Sequence, residues 1–149
     1  QHTKVFEQNV YEQAEFDFYA AAYIPSHDEL QILRQSWVKH GQAFPESKAI
    51  AEIERELNQP ASRILLIALF RTDYERADLK DKAQGWALYP EPLSISELSE
   101  SDVVLRTLMP VANKWARYFL VRINPRVWEN SGRRVIVSNK SNKIEFKLQ

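Results

Sequence analysis

The chain has 149 residues with twenty Lys and Arg against twenty Asp and Glu, so its formal net charge is zero. This length and a 44% hydrophobic content suit one domain with a core of its own and exclude a disordered tail. With no cysteine, a disulfide, a thiolate metal site and a cysteine nucleophile are excluded as well.

In chain order, residues 3–24 satisfy two periods at once. Phe6, Val10, Ala14, Phe18 and Ala22 recur every four residues, as on a helix, while Phe16, Phe18 and Ala20 alternate with polar neighbours, as on a strand. Length and the run Ala20-Ala21-Ala22 select a helix, which Pro25 ends. Ser26 through Glu29 form a capping box, followed by the stripe Leu30, Leu33, Trp37 and Val38. These predict a helix over 27–41, closing at Gly41. A second helix is expected over 46–58, with Pro45 at its start, Ile50, Ile53 and Leu57 inward, and Asn58 and Pro60 as stops.

The period then changes. Residues 63–71 read as a continuously apolar buried strand. Its core, seven apolar residues from Ile64 to Phe70, is far short of the roughly 20 needed to span a bilayer. A charged, turn-like segment follows over 72–84, then a short strand over 85–89 cut by Pro90 and Pro92. Residues 94–102 are polar, with Ile95 and Leu98 as anchors. Further strands are expected over 103–109, 115–123, 133–138 and 143–148, the last two forming a hairpin. In its second arm Ile144, Phe146 and Leu148 face inward and Lys143, Glu145 and Lys147 outward. The sum is an α+β fold in one domain over 1–149. N-terminal helices (1–60) pack on a mainly antiparallel, sandwich-like body of about six strands (61–149).

Candidate chemistry is sparse. His2, His27 and His40 are explained by a chain end, a capping box and a helix end, so no catalytic residue, metal site or cofactor is expected. Three glycines, Gly41, Gly85 and Gly132, leave no room for a phosphate loop or a glycine-flanked nucleophile elbow. Asp73, Glu75, Asp78 and Asp81 could offer oxygens to a hard cation, but Arg76, Lys80 and Lys82 interleave, so a solvated loop is expected.

Charge is more telling. Residues 1–102 hold ten basic and eighteen acidic side chains, and 103–149 hold ten basic and two acidic. Either the segments neutralise each other on folding or the basic one meets an acidic partner. Trp115 and Arg117 share a strand face with Phe119, Val121 and Ile123, and that face reads as core. Trp128 falls in a loop over 125–132 between Arg126 and the pair Arg133-Arg134. Trp128 either covers the end of the sandwich as a core lid or is an exposed aromatic with a guanidinium rim; the second predicts a contact surface of Arg126, Trp128, Arg133 and Arg134 for an acidic protein or an anionic glycan. Without a net positive charge or a nucleic-acid-binding motif, nucleic acid is not the expected partner.

The function expected is a non-enzymatic binding or assembly module. Its alternatives are a carboxylate-dependent hydrolase and a cytosolic nucleic-acid accessory protein. The cysteine-free chain beginning at Gln1 fits the exported part of a bacterial envelope protein, in the periplasm or cell envelope, with a leader or lipid anchor upstream.

Overall fold

The computed structural model describes residues 3–5, 10–14, 18–59, 61–99, 101–111 and 115–148. In chain order these form β1 (Thr3–Val5), β2 (Val10–Ala14), β3 (Tyr19–Tyr23), α1 (His27–Lys39), α2 (Lys48–Leu57), β4 (Arg63–Phe70), β5 (Trp86–Tyr89), β6 (Ser94–Leu98), α3 (Val103–Leu108), β7 (Arg117–Ile123), α4 (Pro125–Asn130), β8 (Arg134–Asn139) and β9 (Asn142–Lys147). Single 3-10 turns over Tyr74–Arg76 and Lys82–Gln84 interrupt the connection from β4 to β5. The fold is α+β, with two antiparallel sheets. The larger runs β1-β2-β3-β4-β7-β6 and the smaller β5-β8-β9.

The central strand β4 is apolar on both sides because both sides are covered. Leu66 and Ala68 join a cluster with Leu30, Leu33, Ile50, Ile53 and Leu105 from the helices. Leu65, Ile67 and Leu69 join a second cluster with Val135, Val137, Ile144 and Phe146 from the smaller sheet. Alternate side chains of one strand therefore serve two cores, the period of two read at sheet scale.

The expected helix over 3–24 is corrected. Three strands lie there, with β3 pairing to β2 on one side and β4 on the other. Ala20, Ala21, Ala22 and Tyr23 are fully buried on β3. Alanine's helix preference, a few tenths of a kcal/mol per residue over most others, yields to two flanking ladders and burial on both faces. Of the earlier stripe, Phe6 lies outside the described residues.

The helices at 27–41 and 46–58 are present within two residues. Ser26 caps α1 by accepting from the Glu29 amide at 3.2 Å, and its hydroxyl donates to the Glu29 carboxylate at 3.0 Å. Gly41 ends α1 at φ +71°, where the Gln42 amide reaches back to the Trp37 carbonyl at 3.0 Å. Burial, with Glu29 adding to it, holds the Tyr23 phenol well above its ordinary pKa.

The expected strand over 103–109 is also corrected. Residues Val103–Leu108 form α3, and its N-cap is Asp102. One Asp102 oxygen accepts from the Leu105 amide at 3.1 Å. The other accepts from the Ser47 hydroxyl at 2.7 Å and the Ala49 amide at 3.3 Å, at the start of α2. A single carboxylate thus ties together two helix N-termini, which favour negative charge. The polar stretch 94–102 contains β6, whose anchors divide: Leu98 enters the helix-side core and Ile95 packs against the other.

Candidate functional site

The segment 125–132, expected as a loop, folds as α4 and its cap. The Asn124 side chain accepts from the amides of Arg126 at 2.9 Å and Val127 at 3.3 Å, and Pro125 occupies the first turn. One helical turn brings Trp128 underneath. It is 6% exposed and belongs to the core between the sheets. Trp128 is therefore not an exposed anchor, and that expectation is corrected. The Ser131 hydroxyl donates to the Trp128 carbonyl at 2.6 Å, and Gly132, at φ +69°, turns the chain toward β8.

Trp115 shows the opposite error. The β7 ladder starts at Arg117, so the alternation that would bury Trp115 does not reach it, and it is 63% exposed. With Phe70, Thr72 and Tyr74 it lines a shallow cleft of about 460 Å³. Arg117, with its side chain 12% exposed, is structural. It donates to both Glu97 oxygens at 2.7 and 2.8 Å and to the carbonyls of Tyr74 and Glu75 at 3.2 and 3.3 Å. The bidentate Glu97 contact holds the guanidinium above its ordinary pKa. In this way Arg117 fastens the acidic 72–84 segment to the sheet.

Three of the four acidic side chains of that segment face their own neighbours. Asp73 pairs with Arg76 at 3.2 Å, and Asp78 and Asp81 accept from the amides of Lys80 and Ala83, each at 3.1 Å. Among the described residues no group of three His, Cys, Asp or Glu side chains is placed to hold a metal ion.

The three arginines of the expected surface are exposed. Arg126 stands in the first turn of α4. Arg133, at φ +60°, links α4 to β8 and lies 3.7 Å from Glu129. Arg134 opens β8 and donates to the two Glu145 oxygens at 3.0 and 3.3 Å. Of the three, Arg134 belongs to the outer face of the small sheet. With Val135, Val137, Ile144 and Phe146 turned inward, Arg134, Ile136 and Ser138 of β8 and Lys143, Glu145 and Lys147 of β9 share the outer face.

Register arranges that face in rows. Arg134 stands opposite Lys147. Tyr89, Ile136 and Glu145 form the next row, and Ala87, Ser138 and Lys143 the third. Tyr89 is 47% exposed. Among the described residues, Glu129 and Glu145 pair with Arg133 and Arg134, while no ion pair engages Arg126, Lys140, Lys143 or Lys147. Like charges directly opposite, as at Arg134 and Lys147, cost stability. Among the described residues two ion pairs do join the basic C-terminal segment to the acidic one, Arg117–Glu97 and Arg122–Glu56. They leave this cationic face in place.

The alternation of Lys143, Glu145 and Lys147 is legible in the sequence. Tyr89 is not, because nothing local says that β5 pairs with β8.

Among the described residues no helix is long and apolar enough to cross a membrane. Compared with known protein families, with curated proteins and with solved structures, the chain has no match.

Proposed function

We propose that the protein is a non-enzymatic binding module that docks an acidic protein surface on the outer face of β5, β8 and β9. The observation that carries this reading is the excess of cations there. Arg134, Lys143 and Lys147 stand on that face against Glu145 alone, and the exposed Arg133 and Lys140 flank β8 in the chain. The row of Tyr89 and Ile136 gives the patch an apolar centre inside a charged margin, the usual anatomy of a protein contact. Charge of one sign steers encounter and raises the association rate. In this reading the small sheet closes one side of a sandwich-like body and turns its other face to the partner. We place the contact outside the cytoplasm, since a chain without cysteine is indifferent to oxidising surroundings. Fractionation of cells producing the protein tests that placement.

Binding of poly-glutamate, followed by fluorescence anisotropy, tests the surface. The triple variant Arg134→Glu, Lys143→Glu, Lys147→Glu should bind at least about tenfold more weakly, and wild-type affinity should fall with salt. Equal binding by the two proteins would overturn the proposal. Binding of heparin but not poly-glutamate would assign the face to an anionic glycan instead.

A further inference from the structure

We infer that the open edge of β5 accepts an extended, acidic segment of a partner protein as an added strand. This rests on the reading of the basic face and names the form the partner takes. β5 and β6 are each the last strand of their sheet, and a groove of about 500 Å³ lies between them. Its lining is mixed, with Leu88, Leu93 and Ile95 beside Lys80, Lys82 and Glu91. The volume falls in the ordinary range of ligand sites.

β5 itself carries no charge along this edge, although it is only four residues long and is followed by Pro90 and Pro92. Strand edges are commonly blunted by charge, above all by lysine. The opposite edge of the same sheet, β9, carries Lys143 and Lys147 and lies near β2. β5 reads Trp-Ala-Leu-Tyr, has no charged side chain, and pairs only with β8 among the described residues. Alternate residues of a strand direct their amide and carbonyl to the same side. Two of the four residues of β5 therefore offer a donor and an acceptor to the groove.

The pleat dictates what such a strand must carry. Trp86 and Leu88 face the core while Ala87 and Tyr89 face out, so an added strand would turn one set of side chains toward Leu88, Leu93 and Ile95 in the groove and the other beside the basic face. Lys140 packs against Gly85 at the head of β5, and the 84% exposed Lys82 stands on the groove rim. Among the described residues of the lining, Glu91 is the one carboxylate, 3.7 Å from Lys82, and Lys80 lies 3.9 Å from both Asp78 and Glu97. A segment alternating apolar and acidic residues satisfies both sides, in the manner of strand addition to a sheet edge.

The test uses the full chain and a short synthetic peptide alternating Val and Asp, with two versions N-methylated on one or the other alternate set of amides. Strand addition predicts binding, slowed hydrogen exchange at amides within residues 86–89, and a loss of at least about tenfold for one methylated peptide only. Lys82→Glu should weaken binding as well. If both methylated peptides bind like the parent and β5 amides stay unprotected while poly-glutamate still binds, the inference fails and the basic-face reading survives. If no acidic ligand binds, both fail. Protection appearing in β6 instead, or before any peptide is added and rising with protein concentration, overturns the inference in favour of the other edge or of self-association.

Discussion

Trp128→Ala removes the side chain that α4 folds beneath itself. At 6% exposure the indole is almost wholly withdrawn from water within the core that also holds Ile123, Val135 and Phe146. A buried tryptophan removes about 150–250 Å² from solvent, worth roughly 4–6 kcal/mol at about 25 cal/mol per Å², an upper bound. Measured truncations of large aromatics cost about 3–5 kcal/mol. For a domain of this size each kcal/mol moves the melting midpoint by about 2–4 °C, so the variant should melt roughly 6–20 °C lower. The Ser131 bond to the Trp128 carbonyl survives the substitution, so the loss is one of packing. Trp115→Ala, at a 63% exposed position beside Phe70 and Tyr74, should lower the midpoint by markedly less than Trp128→Ala. Calorimetry of both variants decides the matter. A Trp128→Ala shift below about 2 °C, or a larger shift for Trp115→Ala, would refute the assignment of one indole to the core and the other to the surface.

Asp102→Ala should destabilise by roughly 2–4 kcal/mol, against about 1 kcal/mol for Ser26→Ala, because it uncaps α3 and releases the start of α2 together; urea titration compares them. Arg117→Ala should cost about 2–3 kcal/mol, since charge-assisted bonds to a partly exposed Glu97 are lost, and limited proteolysis should then cut within residues 72–84. Tyr23 remains protonated in the fold while its unfolded counterpart ionises near pH 10. The unfolded chain then binds fewer protons, so stability falls as pH rises past about 10. Tyr23→Phe should flatten that fall in melting curves collected across alkaline pH.

Where a local signal and the global pairing agree, the sequence is legible. Ser26 and Glu29 specify the start of α1, and the alternation from Lys143 to Leu148 specifies which face of β9 is buried. Where they compete, pairing prevails. Ala20, Ala21 and Ala22 favour a helix locally, yet β2 and β4 recruit them as a central strand. Val103 and Val104 favour a strand, yet Asp102 caps them into a helix, and an aspartate directly before an apolar run was the available sign. The two tryptophans were exchanged for a related reason. Burial by alternation requires knowing where a ladder begins, and Trp115 stands two residues before it. Of the expected contact residues the exposed arginines are visible as charge, but the rows that set Arg134 beside Lys147, Ile136 and Tyr89 come from long-range register.

The central claim is that the outer face of the small sheet is the contact surface, and amide chemical-shift mapping during a poly-glutamate titration tests it most directly. The account predicts shifts concentrated at Tyr89, Arg134, Ile136, Lys143 and Lys147, suppressed by salt, with α1 and α2 unaffected. Shifts concentrated on α1 and α2, or at Trp115 and Tyr74 with β8 and β9 silent, would contradict it.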